Sequence, residues 1–106
     1  MAAWYTGRGY SVLSRNWRCR EGELDLVVAR DGDVVFCEVK TRTGSGFGAP
    51  AEAVTPVKQR RIRHLAARWL GEQRHSRGFA EIRFDVACVT LEPGAKPDLE
   101  VIKAAF

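Results

Sequence analysis

The chain has 106 residues, of which 45% are hydrophobic and 28% charged, with a formal net charge of +4. Those values describe one folded domain, residues 1–106, with a modest core, and exclude a disordered or fibrous chain. There is no apolar run long enough to cross a membrane and no signal-peptide pattern, so the cytoplasm is the expected location and no membrane partner is expected.

Residues 1–8 read as the end of a helix stopped by Gly7 and Gly9. Tyr10 to Trp17 alternates well enough for a strand, and residues 18–22 read as a charged turn. Two β-prone runs, Glu23–Arg30 and Asp33–Thr41, are joined by Asp31-Gly32. That pair is a strong hairpin signal, because the turn requires positive φ. It predicts that Val27 faces Phe36, Ala29 faces Val34, Asp25 faces Glu38 and Glu23 faces Lys40, all on one face of the sheet. On the other face Leu24, Leu26 and Val28 meet Val39, Cys37 and Val35. Both faces are apolar over most of their length, as in a central strand.

Gly44 to Pro50 reads as a flexible loop directly after the hairpin. Thr55-Pro56 then opens a helix expected to reach Gln73, with Thr as N-cap and Pro at the first helical position. At roughly 100° per residue, Lys58, Ile62, Leu65, Ala66, Trp69 and Gln73 share the stripe that faces the sheet. Arg60, Arg63 and Arg74 point outward. After a loop over 74–80, Glu81–Leu91 and Leu99–Lys103 read as strands, with Phe106 tucked onto the core. The connection from residue 41 through the helix to residue 82 predicts a parallel strand pair. The sum is an α/β sandwich with a mixed sheet. Cys19, Cys37 and Cys88 show no zinc spacing, and Cys37 and Cys88 fall in apolar patterns as buried small residues.

The charged end of the hairpin bears the chemistry. Two apposed carboxylates, Asp25 and Glu38, repel each other, and a hard cation such as Mg²⁺ or Mn²⁺ would remove that conflict. Lys40 projects to the same side as Glu38, since strand side chains alternate. Two acids and a lysine around such an ion suit phosphodiester hydrolysis. The spacing equally fits a salt-bridged sheet end in which Lys40 and Glu23 neutralise each other.

Asp25…Glu38-Val39-Lys40 resembles the PD-(D/E)XK nuclease motif. A wider set is similar to the YraN-like bacterial family: Gly9-Tyr10, Leu13, Arg15-Asn16-Trp17-Arg18, Gly22 to Val27, Phe36 to Arg42, Phe47-Gly48, Ala53-Val54, Lys58 and Arg83-Phe84-Asp85-Val86. The likeness covers nearly the whole chain. It implies a restriction-endonuclease-like sandwich, a mixed central sheet flanked by helices, akin to Holliday-junction resolvases. It also implies Mg²⁺ (or Mn²⁺) held by Asp25, Glu38 and the carbonyl of Val39, with Lys40 positioning water. Glu23 would then partner Lys40 or stand in for an acid that the family bears on a longer first helix. This chain opens Met1-Ala2-Ala3-Trp4-Tyr5 and is expected to hold only the end of that helix, without the acid.

Lys40, Arg42, Lys58 and Arg61 are the candidate contacts to DNA phosphates, which would run past the helix N-terminus. The leading expectation is a Mg²⁺-dependent endonuclease acting on DNA, with branched or structured DNA among its substrates. Two alternatives stay open: a nucleic-acid-binding module without catalysis, and a scaffold or regulatory protein that uses its sheet edge. A junction substrate would call for a homodimer, which the sequence leaves undecided.

Overall fold

The computed structural model describes residues 1–43, 54–73 and 78–106. Its elements in chain order are α1 (Ala2–Thr6), β1 (Ser11–Cys19), β2 (Gly22–Arg30), β3 (Asp33–Thr43), α2 (Pro56–Glu72), β4 (Glu81–Leu91) and β5 (Asp98–Ile102). The five strands form one sheet in the order β1-β2-β3-β4-β5. The β3–β4 pair is parallel and the other three are antiparallel. The expected mixed α/β architecture and the parallel pair across α2 are both present.

The Asp31-Gly32 turn has φ of 52° and 84°, the two positive values a two-residue hairpin of type I′ needs. It sets the predicted register from Arg30↔Asp33 through Val27↔Phe36 to Leu26↔Cys37. At the start of α2 the Thr55 side chain accepts the Lys58 N–H at 3.3 Å, as its N-cap reading requires. Gly7 is right-handed helical, with φ −62°, so the positive φ that ends the first helical turn belongs to Gly9, at 88°.

The sheet is buried on both faces. On one, Leu24, Val27, Val34, Phe36, Phe84 and Val86 meet Ile62, Leu65, Ala66 and Trp69 of α2. Phe36 contacts the rings of Trp69 and Phe84, and Phe106 stacks on Phe84 at 5.1 Å between centroids, the tuck foreseen for it. The Trp69 indole N–H donates to Ser14 Oγ at 2.9 Å, so this large side chain is buried without an orphaned donor. On the opposite face Leu26, Val28, Val35, Cys37 and Ala87 pack with Tyr5 and Tyr10.

Two expectations, for Lys58 and Leu24, need correction. Lys58 lies on the predicted inward stripe yet is exposed, because the stripe extends one turn beyond the core that Ile62 begins. Arg63 is exposed, as its outward position predicts, and its guanidinium also lies 4.9 Å from the Phe84 ring centroid and 5.4 Å from that of Phe106. Those rings reach the rim of the α2 layer, where a cation over an aromatic face is favoured. Leu24 was expected opposite Val27 but joins the same apolar cluster, three residues away. Strict alternation is therefore lost at Asp25. The Gly44–Pro50 loop and Arg74 lie outside the described residues.

Candidate functional site

The sheet forks at the residues that carry the charge. β1 and β2 stay paired to Cys19↔Gly22, and β3 and β4 stay paired to Thr43↔Leu91. Between these two arms the β2–β3 ladder ends at Leu26↔Cys37. The expected Asp25↔Glu38 and Glu23↔Lys40 backbone pairs are thus not made. Asp25 sits in the fork instead, and its Oδ2 accepts the Val39 N–H at 2.8 Å. A side chain replaces the ladder bond that β2 no longer supplies. Across from it on β1, Asn16 has φ 49° between the pairs Arg15↔Leu26 and Trp17↔Leu24. The β1–β2 register runs unbroken past this point, its shift falling further back, between Val12 and Ser14.

Asp25 and Glu38 are brought together nonetheless. Burial first, and the Asp25 carboxylate second, push the Glu38 carboxyl above its usual range, while Lys40 pulls it down. Lys40 Nζ lies 3.2 Å from Glu38 Oε1, with the lysine side chain 29% exposed and the glutamate 16%. Glu23 is not the partner of Lys40. It pairs with Arg18 across the β1–β2 arm at 3.2 Å, because the fork carries it away from β3. Among the described residues no group of three or more His, Cys, Asp or Glu side chains is placed to hold an ion. The carboxylate pair is what the fork offers.

The basic candidates are dispersed. Arg42 Nε donates to Thr90 Oγ1 at 3.1 Å on the β3–β4 arm, which ties its stem to the sheet. Lys58 and Arg61 are exposed on the first turns of α2. Arg61 runs beside the β1–β2 turn: a Cβ built on Gly22 would come 3.9 Å from its Cδ. Neither makes a hydrogen bond or ion pair with Asp25, Glu38 or Lys40 among the described residues.

Two features escaped the sequence reading. One is a cleft of about 310 Å³ on the α1 side of the fork, lined by the polar Arg15, Asn16 and Asp25 and the apolar Met1, Ala2, Leu26 and Val39. The other is Asp85, fully buried in β4. Its carboxylate accepts two bonds from Arg83 at 2.8 Å, the Tyr5 hydroxyl at 2.7 Å and the Ala104 N–H at 3.0 Å. Arg83 also reaches the Tyr10 hydroxyl at 3.2 Å. This network fastens α1 to the sheet. Burial, then the neighbouring Cys37 and Asp85, drive the Tyr5 phenol far above its usual pKa, and burial pushes the Cys37 thiol up to about 12. The clue was an arginine and an aspartate two apart in an apolar strand, hence on one face.

Residues 1–89 match the Uncharacterised protein family UPF0102, and the chain belongs to it. A UPF0102 protein of Frankia alni is 53% identical over 98 residues, covering 92% of this chain and 80% of that protein. One of Mycolicibacterium gilvum is 54% identical over 99 residues, covering 92% and 79%. One of Rhodococcus opacus is 49% identical over 105 residues, covering 99% and 87%. The family is the YraN-like group that the sequence motifs resemble. Among the described residues no helix is long and apolar enough to cross a membrane.

Proposed function

We propose that this UPF0102 member is a nuclease-fold protein that binds DNA and hydrolyses its phosphodiester bonds with Mg²⁺ or Mn²⁺. The observation that carries the reading is the fork. At the open end of the β2–β3 ladder the Asp25 charge acts on Glu38, and a lysine lies 3.2 Å from Glu38. The restriction-endonuclease-like fold is part of the proposal, supported by the mixed sheet and by α2 joining the parallel strands.

The donor set fits a hard cation. It is all oxygen, and Glu38 bears the strain of the Asp25 charge that a cation would neutralise. Asp25, Glu38 and the Val39 carbonyl would hold the ion, which supplies Lewis acidity and charge neutralisation when bound. The chain's own residues do the rest. The Val39 N–H keeps the Asp25 carboxylate fixed in the fork. Lys40 orients the attacking water and offsets phosphate charge. Glu23 stays with Arg18, away from the reacting atoms. Arg42, Lys58 and Arg61 draw in the DNA backbone. Branched DNA as substrate and a homodimer as the working unit are carried with the proposal.

Cleavage of duplex, flap and four-way-junction DNA with Mg²⁺ or Mn²⁺ tests it. Metal-dependent cleavage that Lys40→Ala removes supports the reading. One observation favours a binding module without catalysis: the described residues gather only two acids, and Lys40 closes on one of them. DNA binding with no cleavage of any substrate would establish that second reading.

A further inference from the structure

The cleft on the α1 side of the fork is built unlike the carboxylate pair it adjoins. Arg15 and Asn16 border it, both are exposed, and neither side chain makes a hydrogen bond or ion pair among the described residues. Asn16 holds a left-handed backbone within a strand. Asparagine is one of the few residues besides glycine that adopt this conformation readily. Apolar residues, Met1, Ala2, Leu26 and Val39, complete its lining with Asp25. At about 310 Å³ the space sits at the low end of small-molecule sites, roughly 300–1,000 Å³. It suits one nucleotide and not a duplex.

We propose that the cleft holds a single unpaired nucleotide of a DNA strand, next to the phosphate presented to Asp25 and Glu38. This rests on the nuclease reading above and names its substrate class: DNA with an unpaired nucleotide at a flap, gap or end. The Arg15 guanidinium takes the phosphate through paired N–H donors. The Asn16 amide both donates and accepts, which suits a base edge. The apolar lining residues take the face of the base. A base stacked inside a duplex cannot enter without being extruded, at a cost of a few kcal/mol.

Fluorescence anisotropy, with Ca²⁺ replacing Mg²⁺, measures binding of a labelled short single strand and of a blunt duplex of the same sequence. The wild type is expected to prefer the single strand. Arg15→Ala and Asn16→Gly are each expected to lower single-strand affinity about tenfold and leave duplex binding alone. Glycine accepts the left-handed backbone without steric cost, so Asn16→Gly should melt at the wild-type temperature and report the amide alone. Equal losses on strand and duplex would overturn the unpaired-nucleotide claim. Unchanged binding in both variants would overturn the cleft as a subsite and leave the Asp25–Glu38 reading standing. A wild type that binds neither DNA overturns both.

Discussion

Replacing Asp25 separates its two roles. Its Oδ2 accepts the half-buried Val39 N–H at 2.8 Å, and its charge presses on Glu38. Asp25→Ala removes both. An orphaned buried N–H costs about 1–3 kcal/mol, and half-burial places this one at the lower end. Relief of like-charge repulsion returns about 0.2–1 kcal/mol. The net loss should be near 1 kcal/mol, a fall of about 4–8 °C in melting temperature for a domain of this size. Asp25→Asn keeps an acceptor oxygen and loses the charge, so metal-free stability should stay within about 0.5 kcal/mol of wild type. Urea and thermal unfolding at pH 7 in a chelator give both values. If Asp25→Ala proves as stable as Asp25→Asn, the Val39 bond does not hold the fork. If Asp25→Asn is the less stable variant, Asp25 serves as a structural charge, as the salt-bridge reading holds.

Four further outcomes are expected. Lys40→Ala should abolish cleavage and leave DNA affinity within about twofold, since a transition-state role costs rate and not ground-state binding; parallel loss of both in anisotropy and cleavage assays would contradict it. Glu38 titrates above its ordinary value of 4.5 in the folded protein. The folded state therefore keeps a proton that the unfolded chain has lost, and the associated stability is full below the ordinary value and disappears as pH rises through the raised one. Glu38→Gln should flatten that part of the stability–pH curve, and an unchanged slope would count against the carboxylate contact. Neutralising Lys58 and Arg61 should flatten the log–log salt dependence of DNA binding by about one to two units, with little change for Arg63; a larger effect from Arg63 would move the DNA to that residue's side of α2. Asp85→Ala should cost about 3–5 kcal/mol in urea unfolding, because it leaves Arg83 half-buried without its partner, and a loss below about 1 kcal/mol would show that the network does not anchor α1.

The parts of the fold legible in the sequence are those set by local chemistry. Asp31-Gly32 has the φ values its turn requires, and that fixed the pairing of residues 26–30 with 33–37. Thr55-Pro56 opened α2 at the stated residue, and the Ile62, Leu65, Ala66, Trp69 stripe is its buried face. The fork was not legible, because period-two alternation extends a strand until something breaks it. Here the β2–β3 ladder stops at Leu26↔Cys37, where the Asp25 side chain takes the Val39 N–H, and no glycine stands at that point to announce it. The same event sent Glu23 to Arg18 and Lys40 to Glu38. Asp85 was placed on its strand but not recognised as buried, since its partners Tyr5 and Ala104 come from the two ends of the chain.

The central claim is that Asp25 and Glu38 share a divalent cation. Electron paramagnetic resonance of free Mn²⁺, titrated with wild type, Asp25→Asn and Glu38→Gln at pH 7.5, addresses it directly. The wild type should take up Mn²⁺ saturably and release it to excess Mg²⁺, and each variant should bind at least about tenfold more weakly. Equal Mn²⁺ uptake by all three proteins, or none by the wild type, would contradict the account.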